Sequence, residues 1–216
     1  MEEDLPLFPL NTVLFPGMAL PLHIFEPRYR EMIAFCSEAQ RPFGVVLIRE
    51  GMEVGEPATP FDVGTMAKIV NVDRLEDGRM NIMTVGTQRF RVVNVFNDRK
   101  PYIVGDVEPI QDASGTTPPT ELTQQVTAGA QRYIAMIQAA AEQPLTPLRL
   151  PSDVEEASYT IAAMLRVRNR ERQRLLALDS TTDRLTLEKE LLERECAALE
   201  EFLRRRSGGV GPFSRN

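Results

Sequence analysis

Leu75-Glu76-Asp77-Gly78-Arg79-Met80 decides the reading of the first half of the chain, because Asp-Gly between two β-like runs is a strong short-range hairpin signal. In a two-residue hairpin turn both corner residues take positive φ, which Asp tolerates and Gly adopts without steric cost. The stretch therefore predicts that residues 65–75 and 79–85 pair as antiparallel strands. Working outward, Phe43-Gly44-Val45-Val46-Leu47-Ile48 is a continuous apolar run, the pattern of a strand buried on both faces. Arg89-Phe90-Arg91-Val92 alternates charge with apolar bulk, the period of a strand with one wet face. Tyr102-Ile103-Val104-Gly105-Asp106-Val107 reads as a further antiparallel partner. One helix interrupts the strands, from Pro27 to about Ala39. There Tyr29, Met32, Ile33 and Cys36 recur at helical spacing and proline sits where a first turn tolerates it.

The chain changes character near its middle. Gln111-Asp112-Ala113-Ser114-Gly115-Thr116-Thr117-Pro118-Pro119 is polar and rich in breakers, so residues 113–119 are expected to link a β subdomain, 1–112, to a helical one, 120–206. In the second part, Leu122, Val126, Tyr133, Ile137 and Ala140 form one stripe. Ser152-Asp153-Val154-Glu155 reads as a capping box ahead of Ala157, Ile161 and Leu165. A short helix runs through Leu175, Leu176 and Leu178, and Ser180 opens a long one lined by Leu185, Leu192, Cys196, Leu199 and Leu203. Residues 207–216 read as a flexible tail. The class is α+β: strands with one helix, then a bundle of about four helices.

Composition narrows the function. Among 216 residues, 25 are basic and 31 acidic, a net charge of -6 that disfavours non-specific nucleic-acid binding. All of that charge falls before residue 115, where 11 basic residues face 17 acidic ones; after it, 14 face 14. The acidic start Met1-Glu2-Glu3-Asp4 does not resemble a secretory leader, and no apolar run is long enough for a membrane helix, so the cytoplasm is the expected compartment and no membrane partner is expected. Two distant cysteines and a single histidine, His23, give no metal or disulfide framework, and no cofactor is expected. His23 itself reads as a packed or hydrogen-bonded structural residue.

Several motifs in fixed order carry a family resemblance. Leu7-Phe8-Pro9-Leu10, Val13-Leu14-Phe15-Pro16-Gly17, Leu20-Pro21-Leu22 and Ile24-Phe25-Glu26-Pro27-Arg28-Tyr29 resemble the opening of the N-terminal substrate-recognition domain of Lon proteases. Val63-Gly64-Thr65-Met66-Ala67, Asp77-Gly78-Arg79, and Gly86 with Arg89-Phe90-Arg91-Val92 are similar to its later motifs. The resemblance implies a six-stranded, PUA-like β pseudo-barrel packed on a helical bundle. Lon enzymes continue into an ATPase and a Ser-Lys protease, but this sequence holds no GxxxxGK[ST] and only the lysines Lys68, Lys100 and Lys189, so a stand-alone, non-catalytic domain is expected.

The implied ligands are unfolded or extended polypeptides, with a separate protease as a candidate partner and a monomer or weak homo-oligomer as the expected state. Met52 and Phe61, placed in a Gly51–Gly64 loop, are the candidate peptide-binding residues, since methionine adapts to varied apolar partners. Arg89, Arg91, Arg166, Arg170 and Arg174 are the candidate polar surface. Residues two apart on a helix point to different faces, so of the run from Arg166 to Arg174 only Arg166, Arg170 and Arg174 can share one. RNA binding through the barrel, using Arg89, Arg91 or that run, is the alternative function, with small-molecule binding in the barrel-bundle cleft as a third.

Overall fold

The computed structural model describes residues 2–53, 58–112, 117–144 and 147–208. Six strands come first, β1 (Glu2–Leu10), β2 (Ala19–Ile24), β3 (Phe43–Glu50), β4 (Thr59–Arg74), β5 (Met80–Phe96) and β6 (Val104–Pro109), with α1 (Pro27–Glu38) between β2 and β3. Four helices follow: α2 (Thr120–Ala140), α3 (Val154–Met164), α4 (Asn169–Ala177) and α5 (Thr181–Gly208). The sheet order is β2-β5-β4-β3-β1-β6, and β5 also pairs β6. That pairing closes β5, β4, β3, β1 and β6 into a barrel and leaves β2 appended to the first half of β5. One strand can serve both because β5 is 17 residues long: Met80–Val85 pair with β2 and Phe90–Phe96 with β6, the latter pairing shifting register between Val92 and Asn94. Only β1 and β3 run parallel.

The Asp-Gly hairpin forms where expected, but as a different turn. Gly78 takes φ +80° while Asp77 does not enter the left-handed region. The Gly78 N–H donates to Leu75 O (2.9 Å), the Leu75 N–H to Arg79 O (2.8 Å), and the Arg79 N–H to Asp77 Oδ1 (3.0 Å). This is a three-residue loop ending on a glycine bulge, in which the Asp77 carboxylate secures the corner instead of its backbone reversing.

The long strands line two apolar layers. Inside the barrel, Leu5, Leu7, Val46, Met66, Phe90, Ile103 and Val107 pack together. On the other face of β3, Phe43 and Val45 join Phe8, Leu10, Ile24, Met80 and Ile82 beneath Tyr29, Met32, Ile33 and Cys36 of α1. The unbroken burial of Phe43–Ile48 follows from these two layers. A third layer binds barrel to bundle: Val13, Phe15, Leu47 and Val63 pack with Val126, Tyr133, Ile161, Leu176, Leu185 and Leu192.

Small features depart from the expected pattern. The α3 cap is Asp153, whose carboxylate accepts from the Glu156 N–H at 2.9 Å, one residue on from the expected Ser152. Ser180 caps α5 as expected, accepting from the Asp183 N–H at 3.2 Å. Phe61 lies in β4 and packs against the barrel-bundle core, not in a loop. The arginine run is not one helix, since α3 ends at Met164 and α4 starts at Asn169.

Candidate functional site

Charged side chains divide sharply between the barrel-bundle junction and the outer surface. At the junction, Arg89 of β5 is 2% exposed; its guanidinium donates to Leu176 O (2.7 Å) and Leu178 O (2.8 Å) and to the Asp112 carboxylate. Arg184 of α5 donates to Asp112 Oδ2 (2.6 Å) and Ser158 Oγ (2.6 Å), with its guanidinium 3.9 Å from the Tyr159 ring centroid. The hydroxyls of Thr181 (2.7 Å) and Tyr159 (2.9 Å) also donate to Asp112. Burial alone would push the Asp112 carboxyl up, but the Arg184 guanidinium, the Thr181 hydroxyl and Arg89 outweigh it and hold the carboxyl below its ordinary range. Nearby, burial drives the fully enclosed Glu188 carboxyl well upward against Arg184 and the Ser158 hydroxyl.

This cluster corrects the expected polar surface at Arg89. A strand residue that alternates toward solvent in an isolated sheet here meets the ends of α4 and α5, so its guanidinium is consumed by the junction. Arg91 remains exposed, with Asp179 Oδ2 at 3.7 Å. Arg172 is also buried, donating to Ala163 O (3.1 Å), Leu165 O (2.9 Å) and Val13 O (3.3 Å). Arg166, Arg170 and Arg174 are exposed, but Arg166 lies before α4, so the helical spacing joins only Arg170 and Arg174. The barrel-bundle cleft expected as a small-molecule site is thus occupied by side chains. An open cleft of about 660 Å³ lies elsewhere, between the end of α1 and β4, lined by residues that include Arg41, Lys68, Val70 and Thr87.

The opposite side of α1 carries a smaller hollow of about 160 Å³, lined by Phe8, Leu10, Leu22, His23, Ile24, Phe25, Glu26, Tyr29 and Glu53. Its floor is fixed by Tyr29, which stacks on Phe8 with ring centroids 4.1 Å apart. Pro27 starts α1 and thereby swings Phe25 outward, where it is 50% exposed. Arg28 holds the rim: its Nε donates to Glu26 Oε2 at 3.0 Å and its Nη2 to Glu53 O at 3.4 Å. His23 is exposed rather than packed, hydrogen-bonded through Nδ1 to Asn81 Oδ1 at 2.7 Å and 6.1 Å from the Phe25 ring. Met52, next to Glu53 in the chain, is 73% exposed. Of the two expected peptide-binding residues, Met52 is exposed one residue before Glu53, which lines the hollow, whereas Phe61 is partly buried against the barrel-bundle core. Sequence reading missed the exposure of Phe25, since an apolar residue just before an N-cap often packs onto the helix instead.

The hollow abuts the outer edge of β2, which pairs with no strand among the described residues. The Gly86 N–H to Met18 O bond (2.9 Å) sets the ladder's parity, so Leu20, Leu22 and Ile24 turn their main-chain groups to β5 and Ala19, Pro21 and His23 turn theirs outward. Pro21 at an outward position has no N–H, and its ring obstructs an added strand. Main-chain pairing by an added strand is therefore obstructed at this edge. Glycine is required nearby at Gly86, where a Cβ would stand 2.3 Å from the Phe15 carbonyl oxygen.

Nothing in this geometry favours covalent chemistry by the cysteines, because both are buried, and burial pushes the Cys36 thiol up to about 11. Among the described residues no three His, Cys, Asp or Glu side chains group as metal ligands, and no helix is long and apolar enough to cross a membrane.

Residues 4–194 match the model of the ATP-dependent protease La (LON) substrate-binding domain. The chain belongs to that family. It is 27% identical over 190 residues to Lon protease 2 of Syntrophobacter fumaroxidans, covering 84% of this chain and 23% of that protein. It is 30% identical over 145 residues to the Lon protease of Parabacteroides distasonis, covering 66% of this chain and 17% of that protein. The chain thus spans about a quarter or less of the length of these relatives. A Lon N-terminal domain protein from Xanthomonas campestris superposes with TM-score 0.64 at 28% identity, covering 85% of this chain and 95% of that one. The N-terminal domain of a Mycobacterium avium complex Lon protease shares the fold, with TM-score 0.62 at 16% identity over 88% of this chain and 98% of that one. The six-stranded sheet with α1 and the helices behind it is therefore the architecture of a Lon substrate-binding domain.

Proposed function

We propose that the chain is a non-catalytic polypeptide-binding module that captures apolar side chains of unfolded or extended segments in the hollow between β1, β2 and α1. The observation that supports this most is the exposure of Phe25 on the lining of a hollow of about 160 Å³, with the exposed Met52 one residue from the lining residue Glu53. That volume suits one leucine-, methionine- or phenylalanine-sized side chain. Burying such a side chain contributes about 1.5–3 kcal/mol, far from the roughly 8 kcal/mol of a micromolar complex, so Phe25, Met52 and the rim must add contacts. Affinity no better than micromolar is expected, with delivery to a separate protease as the role such weak binding would serve. The RNA alternative loses Arg89, which has no free donor surface to offer.

The test is fluorescence anisotropy with a labelled, permanently unfolded casein fragment against the wild type, Phe25→Glu, Met52→Asp and the double variant. The expected result is a loss of at least tenfold in affinity for the double variant with an unchanged melting temperature. Wild-type affinity in the double variant would overturn the reading.

A further inference from the structure

Two hydrogen bonds link the rim of the hollow to the first residue of α4, and exposed arginines flank that residue in the chain. Glu53, on the rim, accepts a hydrogen bond from the Asn11 N–H, and the Asn11 carbonyl accepts from Asn169 Nδ2 at 2.5 Å, at the first residue of α4. The bridge is one main-chain residue with a side chain at each end, roughly 10 Å, which about three residues of extended chain cover. Arg166 and Arg168 lie just before α4 and Arg170 and Arg174 on it one turn apart, with Arg166 also lining a hollow beside Tyr133, Glu195 and Phe202. Arg166, Arg170 and Arg174 are exposed and form no ion pair among the described residues, and Arg168 reaches Glu171 only at 3.6 Å with its side chain 86% exposed. The carboxylates of this corner are already committed: Glu171 to Arg194 at 2.5 Å and to the Arg168 N–H at 3.2 Å, Glu195 to Arg194 at 2.8 Å. At the hollow itself the balance is reversed, since Glu26 and Glu53 line it and, among the described residues, Arg28 bonds the Glu26 carboxylate and only the main-chain carbonyl of Glu53.

We infer that the preferred ligand is an extended polypeptide whose apolar anchor is followed or preceded, at about three to five residues, by acidic side chains that meet the Arg166–Arg174 corner. An acidic residue next to the anchor meets Glu26 and Glu53 and is disfavoured. The net charge of -6 opposes anionic partners overall, so this preference is local to the corner and not a product of bulk charge. The inference rests on the hollow being the anchor site and deepens that reading.

Four labelled twelve-residue peptides with a central Leu-Phe test it: three Asp placed three to five residues from the anchor on both sides, three Lys in the same places, three Ser in the same places, and Asp directly beside the anchor. The remote-Asp peptide should bind about three- to tenfold more tightly than the Ser peptide, the range that two or three exposed ion pairs support, and the gap should shrink in 0.5 M salt. Lys and adjacent-Asp peptides should bind more weakly than Ser. Arg166→Glu with Arg170→Glu, folded by melting temperature, should invert the Asp and Lys order. Equal affinity for all four peptides overturns the acidic preference and leaves the hollow standing. An Asp preference unchanged in the double variant overturns its placement at this corner. Failure of the Ser peptide to bind, at any salt, overturns the hollow itself.

Discussion

The barrel-bundle junction and the hollow beside α1 use opposite chemistry. At the junction, charges are buried and each guanidinium is directed at carbonyls or at Asp112; at the hollow, apolar side chains are exposed while the charges lie on the rim. A buried charge with committed partners is costly to disturb, because removing one member strands the others without water. An exposed phenylalanine or methionine contributes little to folding and is free to serve a ligand. The difference teaches that at these two places residue polarity misleads: Arg89 and Arg184 are buried structural groups, while Phe25 and Met52 are exposed.

The largest expected effect breaks the junction. Asp112→Ala leaves Arg89 and Arg184 buried without their shared carboxylate and should cost about 3–5 kcal/mol, seen as a melting temperature lowered by roughly 10 °C. A change under 1 kcal/mol would mean the cluster is solvated. Next, Gly86→Ala drives a methyl into the Phe15 carbonyl and should destabilise by about 1–3 kcal/mol in urea denaturation; wild-type stability would show that the β2–β5 junction yields.

The paired substitutions Phe61→Asp and Met52→Asp sharpen the comparison, because sequence reading treated the two residues alike. Phe61→Asp buries a carboxylate against the core and should cost about 2 kcal/mol or more, whereas Met52→Asp should stay within about 0.5 kcal/mol and lose peptide affinity. Similar melting temperatures for both variants would contradict the separation. The smallest effect is on pH dependence. Since the folded protein holds the Asp112 carboxyl below its ordinary 3.8, its stabilisation is fully present above that value and is lost as pH falls through the folded-state value. Asp112→Asn should therefore show a shallower loss of stability than wild type below about pH 4, and an equal slope would remove Asp112 as its source.

Much of the fold is legible in the residues. The Asp77-Gly78 hairpin, the α1 stripe of Tyr29, Met32, Ile33 and Cys36, and the buried run Phe43–Ile48 all obey local periodicity. What is not legible depends on distant partners. Arg89 reads as a wet strand position because nothing local reveals that α4 and α5 end above it, and Phe61 reads as a loop residue because Thr59 and Pro60 hide the start of β4. At the proposed site the exposure of Met52 was legible from its glycine-flanked setting, whereas that of Phe25 emerged only from the structure.

Amide chemical-shift mapping with the unlabelled Ser-flanked Leu-Phe peptide, titrated into the isotopically labelled protein, tests the hollow most directly. Shifts should concentrate at Leu22–Tyr29 and at Met52 and Glu53, with the junction residues around Asp112 unmoved. Shifts confined to α2 and α5, or to the cleft of Arg41 and Lys68, would place binding elsewhere and contradict the division of labour between the two regions.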